Sequence, residues 1–401
     1  MTEKIITAKT GFKAVLEVLL VSLKLGLTSF GGPIAHLGYY HNEYVDKRKW
    51  IDERSYLDLV ALCQFLPGPA SSQIGIGIGT IRAGVPGGIA AWFGFTLPSA
   101  VMMILFAFVL QGFDIIDSGW LHGLKIVAVA IVAQAILTMW QKIITDKLKA
   151  VIAVGVFIIL LFWQSAFNQI IIIAAAGITG LIFYRKHEVP EVTKIRVQVS
   201  RRFALLCLAA FFILLAALPI VRNLTNNHMI AVADSFYRSG SLVFGGGHVV
   251  LPLLEHEVVP TGWVDKDLFL AGYGAAQGVP GPLFTFAAYL GAMIGGLKGA
   301  LLALFAIFLP AYLLIIGTLP FWNVLRNSPK IQGALTGVNA AVIGILLAAL
   351  YNPVWISAVK SEYDLALTVL LFMMLVFIKL PPWIIVIAGA AGGMILEFFK
   401  F

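Results

Sequence analysis

The sequence predicts an all-α polytopic membrane protein, built from two inverted-topology repeats with broken or re-entrant helices and about 10–13 transmembrane segments. Three observations support this prediction. The composition is too apolar for a soluble chain, one unusual motif occurs twice, and the basic loops lie where an inverted duplication would place them.

The composition alone indicates a membrane protein. Of 401 residues, 60% are hydrophobic and 12% are charged, whereas soluble domains average about 45–50% and about 25%. So much apolar surface cannot be hidden in a soluble core. Several apolar stretches approach the length of about 20 residues that spans hydrocarbon. They are 148–163, 168–184, 203–222, 296–318, 331–351, 362–379 and 383–399.

The charge and the cysteines exclude several other classes. The net charge of +8 comes mostly from Lys and Arg in short loops, which is typical of cytoplasmic membrane loops rather than of a nucleic-acid surface. Cys63 and Cys207 lie in apolar segments and indicate neither a disulfide framework nor a metal cluster. We therefore expect no cofactor, no metal and no nucleic-acid partner. Residues 1–13 carry lysines and no cleavage site, which favours an inside-facing N-terminus.

The duplicated motif joins a glycine doublet to a later Pro-Gly-Pro break. Phe30-Gly31-Gly32 and Pro67-Gly68-Pro69 match Phe244-Gly245-Gly246 and Pro280-Gly281-Pro282. A nearly constant offset aligns further pairs: Glu43 with Glu257, Trp50 and Asp52 with Trp263 and Asp265, Gln64 with Gln277, Pro98 with Pro310, and Gly123 with Gly333. The match predicts a first repeat over 12–184, a basic loop and connecting helix over 185–222, and a second repeat over 228–399.

Loop charges predict the orientation of the repeats. The loops 141–149 and 185–202 are basic and should be cytoplasmic, whereas 112–118 carries only acidic charges. The N-terminus and 185–202 then lie on the same side, so residues 31–81 must supply one crossing. They would do so as a broken helix, or as one helix plus a re-entrant hairpin. Helix 203–222 carries the chain outward, and the second repeat therefore starts from the opposite side.

Each Pro-Gly-Pro break should separate two helices, 55–66 from 70–81 and 267–278 from 283–294. Proline lacks an amide hydrogen and pushes the preceding residue out of helical geometry. Irregular backbone at membrane depth survives where it lines a polar cavity or is buried in protein. A helix that restarts there presents free amide hydrogens and a partial positive charge, which together suit an anion. The alternative interpretation is a simple turn at the membrane interface.

The predicted anion site takes its residues from both breaks and both glycine doublets. Hydroxyls follow each break, and Thr285 is the equivalent of Ser72. The full set is Gln64, Pro67, Gly68, Pro69, Ser71, Ser72, Gln277, Pro280, Gly281, Pro282, Thr285, Gly31, Gly32, Gly245 and Gly246. Two helix starts offer about one positive charge, less than a dianion needs. The nearby bases Arg82, Arg238 and Lys298 are therefore candidates to supply more.

Two carboxylates and two histidines are candidates for proton coupling. Glu43 and Glu257 match across the halves and precede tryptophans expected at the membrane interface. The alternative role for these carboxylates is a salt bridge to Lys47, Arg48 or Lys266. His36 and His248 follow the glycine doublets without matching each other, and their alternative role is a local hydrogen bond.

The motifs resemble those of a known family. The stretches SFGGPIAHLG at 29–38 and LCQFLPGPASSQ at 62–73, with 244–253 and 277–282 in the second half, are similar to the signature of the chromate ion transporter family in its long, two-domain form. The resemblance extends from about residue 12 to 351. It implies a multi-pass plasma-membrane protein that exports chromate and confers chromate resistance, with sulfate as the competing anion. It does not identify the binding residues.

Three rival functions stay open at this point. A membrane-embedded chromate reductase would need a redox centre, for which the sequence shows no signature, and no Walker-type phosphate loop is present. A passive anion channel would also suit inverted repeats with broken helices. A sulfate or other oxyanion porter is barely separated from a chromate porter by sequence. The terminal helices 362–379 and 383–399 could face lipid or form a homodimer.

Overall fold

The structure, a computed structural model, describes residues 11–112, 118–163, 166–184, 199–225, 227–244, 247–322 and 328–399. Within these ranges the chain is built from helices, which confirms the all-α prediction there. The first half contains α1 (Phe12–Thr28), α2 (Gly32–Tyr40), α3 (Glu53–Phe65), α4 (Ala70–Gly112), α5 (Gly119–Ile143), α6 (Lys147–Phe162) and α7 (Ala166–Phe183).

The connecting helix and the second half follow the same order. They contain α8 (Arg201–Leu224), α9 (His228–Leu242), α10 (Val250–Val258), α11 (Lys266–Ala276), α12 (Phe286–Thr318), α13 (Pro329–Ala349), α14 (Glu362–Val376) and α15 (Pro382–Phe399). A π-helical turn extends α2 over His41–Lys47, another follows α13 over Leu350–Trp355, and a 3₁₀ turn over Leu283–Thr285 precedes α12.

Both predicted helix breaks are confirmed. Helix α3 ends at Phe65 and α4 begins at Ala70, while α11 ends at Ala276 and the helical chain resumes at Leu283. The two arms of each break lie side by side. A Cβ added at Gly77 would lie 2.8 Å from Leu59 Cδ1, and one added at Gly272 would overlap the ring of Tyr289. Each Pro-Gly-Pro segment is therefore the tip of a helical hairpin.

A second interruption turns the chain again after each hairpin. Helix α4 leaves helical geometry at Ala83 and Gly84, and α12 does so at Gly295 and Gly296. The segments on either side fold against each other, since a Cβ at Gly79 would overlap the Gly87 carbonyl. The interruption in α12 agrees with the start of the apolar stretch 296–318.

The two halves exchange their last helices. The hairpin of α6 and α7 packs on α13 of the second half, and α14 and α15 pack on α5 of the first half. Glycines allow the close approach, since a Cβ at Gly123 would overlap the Gly389 carbonyl and one at Gly180 the Gly333 carbonyl. The halves are thus interlocked rather than merely adjacent.

Five helices of the described ranges are long and apolar enough to cross a membrane by length and composition alone. They are Ala70–Gly112, Gly119–Ile143, Arg201–Leu224, Leu283–Phe321 and Lys330–Ala358. Shorter apolar helices accompany them, such as Ile171–Phe183 and Pro382–Phe398. The predicted total of about 10–13 crossings and the opposite orientation of the halves stay predictions.

Candidate functional site

Each break is held by the opposite half of the molecule. The amide of Gly68 donates to the carbonyl of Val243, at 2.7 Å, and the amide of Gly281 donates to the carbonyl of Ser29, at 2.9 Å. Ser29 and Val243 cap the ends of α1 and α9, and one phenylalanine separates each of them from its glycine doublet. The two hydrogen bonds are equivalent under the repeat. They bring the breaks and the ends of the first helices together at the centre of the fold.

The break glycines have a conformation that other residues rarely adopt. Gly68 has φ 115° and Gly281 has φ 102°, where a side chain would clash with the backbone. Space is also limited, because a Cβ at Gly281 would lie 2.8 Å from Ser99 Oγ. Since the amides of both glycines bond to carbonyls, they are not free donors for an anion in this conformation.

A small cavity lies at the second break. Its volume is about 50 Å³, which is room for about four waters. Five of the predicted site residues line it: Gly31, Gly32, His248, Gln277 and Gly281. The glycine doublet of the first half and the break of the second half therefore meet at one polar space.

Polar side chains line this cavity. Gln277 Nε2 is buried without a hydrogen-bond partner, although it belongs to a residue that lines the space. His248 Nδ1 lies 2.8 Å from the Tyr273 hydroxyl, and when that hydroxyl donates, His248 Nε2 carries the ring hydrogen. Gln134 of α5 adds a third polar side chain. These neutral donors, with the helix start beyond Pro282, suit an oxyanion.

Sequence reasoning missed the contributions of α5 and α15. Gln134, Ile131 and Pro382 also line the cavity. Gln134 lies in an apolar helix without a motif, and its equivalent in the second half is not a glutamine. Gln134 and Ile131 reach the break because α5 of the first half packs on α11 of the second half, and the duplicated motif carries no signal for that contact.

The first break has different surroundings. Gln64 is exposed, and Ser71 and Ser72 are buried in the first turn of α4. The side-chain amide of Gln73 donates to the carbonyl of Pro67, at 2.8 Å, and Ser72 Oγ has no partner. The opposing doublet, Gly245 and Gly246, lies outside the described residues. The break thus holds buried polar atoms.

Thr285 and the remaining prolines belong to the turns themselves. The hydroxyl of Thr285 donates to the carbonyl of Pro282, at 2.8 Å. Pro280 is buried beside Gly281, and Pro69 accepts from the amide of Gln73, at 3.0 Å. Ser72 and Thr285 are equivalent in sequence, but only the Thr285 hydroxyl has a bond within its turn.

Glu43 lies in an ion-pair network of the first half. Its carboxylate contacts Lys24 at 3.2 Å and Arg48 at 2.8 Å. Arg82 contacts Glu17 at 3.0 Å, and its guanidinium lies 5.0 Å from the ring centroid of Trp50. Of the predicted salt-bridge partners of Glu43, Arg48 is the one found.

Glu257 lies in the equivalent network of the second half. Arg238, which matches Lys24, contacts Glu257 at 2.6 Å and Asp234 at 2.7 Å. Arg222 from the connecting helix contacts Asp234 at 3.0 Å and covers the ring of Trp263. The predicted partner Lys266 is replaced by these arginines, since α9 and the end of α8 pack together.

The two remaining candidates are not in the cavity lining. Lys298 is exposed at the start of the second segment of α12. His36 is buried, and its Nε2 lies 3.2 Å from the Ser29 carbonyl, the acceptor of the Gly281 amide. As a carbonyl can only accept, His36 Nε2 donates there. Its Nδ1 has no partner. His36 thus supports the contact between the halves.

Comparison with known proteins gives a consistent result. A family model described as "Chromate transporter" matches residues 16–181 and 230–394, once in each half. The chain is 29% identical over 384 residues to the "Probable chromate transport protein" of Synechococcus elongatus, which covers 92% of this chain and 93% of that protein. It is 26% identical over 385 residues to the "Chromate transport protein" of Cupriavidus metallidurans, covering 94% of this chain and 92% of that protein.

A shorter relative matches a single half. The "Uncharacterized transporter YwrA" of Bacillus subtilis is 31% identical over 169 residues, which is 41% of this chain but 95% of that protein. One repeat therefore corresponds to a whole protein elsewhere.

Proposed function

The chain belongs to the chromate transporter family, a family of membrane transporters rather than enzymes, and from this premise we propose that it exports chromate across the plasma membrane and so confers chromate resistance. The observation that carries the proposal is the cavity at the second break, where both halves meet around neutral donors. The names of the two full-length relatives support chromate as the cargo.

In the proposed topology the two halves cross the membrane in opposite directions. The basic loop before α8 faces the cytoplasm, and α8 carries the chain outward. The reciprocal bonds of Gly68 and Gly281 then lie near the middle of the membrane. Each helical hairpin is re-entrant, entering and leaving on one side. The cavity is reached alternately from the two sides as the halves move against each other.

Export of a dianion needs no nucleotide. Moving one charge across 100 mV involves about 2.3 kcal/mol, so a potential of roughly 150 mV, negative inside, favours the exit of two negative charges by about 7 kcal/mol. This corresponds to about five decades of concentration ratio. A proton gradient can add to this driving force.

Chromate uptake into inside-out vesicles tests the proposal. We expect saturable uptake driven by a lumen-positive potential, and counterflow from vesicles preloaded with chromate. Uptake that never saturates and shows no counterflow would indicate a passive channel. Competition by chromate, sulfate and molybdate compares the anions, and stronger inhibition by sulfate than by unlabelled chromate would indicate a sulfate porter instead.

A further inference from the structure

Helix α10 carries a second carboxylate that no motif singled out. Glu255 precedes Glu257 by two residues, yet it lines a different space between α10, α6 and α13, together with His256, Leu160 and Asn352. Its side chain is only 13% exposed, and the nearest basic side chain is that of His256, whose Nδ1 lies 3.9 Å from the carboxylate. In the described part of the chain, no lysine or arginine forms an ion pair with it.

This environment differs from those of the other two carboxylates. Glu43 and Glu257 touch guanidinium groups at 2.8 Å and 2.6 Å, and such contacts favour the charged form. Glu255 is also buried, but within the described residues no guanidinium group contacts its carboxylate. Helix α10, with nine residues, is too short to span a membrane. Burial raises the pKa of the Glu255 carboxyl to about 7, and the charge of Lys266 opposes that rise.

The groups that face Glu255 are few. His256 lies on its own helix, and Lys266 lies at the start of α11, where its ammonium is 3.4 Å from Asn352 Oδ1. The residues that α6 and α13 contribute to the cavity are apolar. A proton can therefore bind or leave Glu255 without breaking an ion-pair network.

The position of Glu255 indicates which solution it meets. Its neighbour Glu257 contacts Arg222 at 3.6 Å, and Arg222 lies in the last turn of α8, opposite the basic end of that helix. In the proposed orientation this end is the outer one. In the first half, the equivalent of Glu255 is His41, which contacts Glu53, the equivalent of Lys266. The acidic and the basic residue thus exchange places between these equivalent positions of the two halves.

We propose that Glu255 is the proton-binding residue that couples chromate export to proton entry, an inference that rests on the proposed function. The carboxylate binds a proton from the outer solution and forms an O–H bond. When Glu255 is accessible from the cytoplasm, the O–H bond breaks and the proton leaves to the cytoplasmic solution. Over the whole transport cycle, a proton enters while chromate leaves. No electron is transferred. The ion pairs of Glu43 and Glu257 stabilise the two halves.

Inside-out vesicles with the membrane potential clamped at zero test this inference. Acidifying the lumen by one pH unit should increase chromate uptake several-fold in the wild type, and equally in Glu362→Gln, which removes an exposed carboxylate. Glu255→Gln should lose this stimulation while retaining uptake driven by potential, and Glu255→Asp should recover part of it.

Three results would overturn the inference. The first is that Glu255→Gln is still stimulated by lumen acid, and the second is that the wild type is not stimulated. The third is that Glu255→Gln and Glu255→Asp both lose uptake driven by pH and by potential, which would indicate a structural role. Failure of the proposed function looks different, because the wild type would then take up no chromate even under a lumen-positive potential.

Discussion

The two Pro-Gly-Pro breaks share their backbone and differ in their side chains. In both, a glycine with positive φ donates its amide to the end of the opposite half's first helix. After the first break an α-helix starts at once and Gln73 folds back on Pro67, whereas after the second a 3₁₀ turn intervenes beside a polar cavity. Duplication therefore preserved the backbone hydrogen bond that joins the halves, while the binding function can reside in one half.

Substituting alanine for Gly68 or Gly281 should have the largest effect, a lower rate of chromate transport. A left-handed conformation costs a side chain about 1–2 kcal/mol, and the new Cβ at Gly68 would also lie 3.0 Å from Ala311 Cβ. We expect Gly68→Ala and Gly281→Ala each to lower the chromate transport rate at least about tenfold, which a loss of about 1.4 kcal/mol explains. The transport rate per folded molecule measures this effect, and the unfolding midpoint shows how far each variant is destabilised.

A control substitution and a second-site substitution test this prediction further. Gly155→Ala should be harmless, because nothing lies within 4 Å of its added Cβ. Ser99→Ala should partly rescue Gly281→Ala by removing the hydroxyl 2.8 Å away, and it should not rescue Gly68→Ala. Equal rescue of both variants would contradict the separate packing of the two breaks.

The ion-pair networks should rank next. Glu257→Gln leaves Arg238 and Arg222 with only Asp234, in a largely buried setting, so we expect a loss of about 3 kcal/mol in unfolding free energy. Glu43→Gln loses pairs with Lys24 and Arg48, which are more exposed, and should cost about 1 kcal/mol. Denaturant unfolding in detergent compares the two, and a larger loss for Glu43→Gln would refute the ranking.

The hydroxyls after the breaks should give the smallest effect. Thr285→Val removes the bond to the Pro282 carbonyl, for which we expect a loss of about 1 kcal/mol. Ser72→Ala removes a buried hydroxyl that has no partner, and stability should be unchanged or slightly higher. Thermal unfolding of the two variants distinguishes them, and equal losses would show that the turns are alike.

Sequence reasoning succeeded where a residue type forces a backbone shape. Helices α3 and α11 both end before the first proline of their break, and the glycine between the prolines occupies a conformation that suits glycine. It could not locate the cavity, because Gln134 reaches it through the packing of α5 on α11, and Pro382 lies at the start of α15, far along the chain. It also passed over Glu255, since the neighbouring Glu257 was the residue that matched across the repeat.

The ion-pair partners of Glu257 could not be predicted from the sequence either. Lys266 is close to Glu257 along the chain, but Arg222 and Arg238 reach the carboxylate because α8, α9 and α10 pack together. The equivalence of Lys24 and Arg238, each paired to the repeated glutamate, becomes visible only with the contacts in place.

Equilibrium binding of chromate to the purified protein tests most directly whether the second break holds the anion. Gln277→Leu removes the buried amide that lacks a partner, and Gln64→Leu makes the equivalent change at the first break, where the side chain is exposed. Loss of a hydrogen bond to a charged group costs about 1.5–3 kcal/mol, so the Kd should rise at least about tenfold in Gln277→Leu and stay unchanged in Gln64→Leu. A wild-type Kd in Gln277→Leu, or a larger rise in Gln64→Leu, would contradict the account.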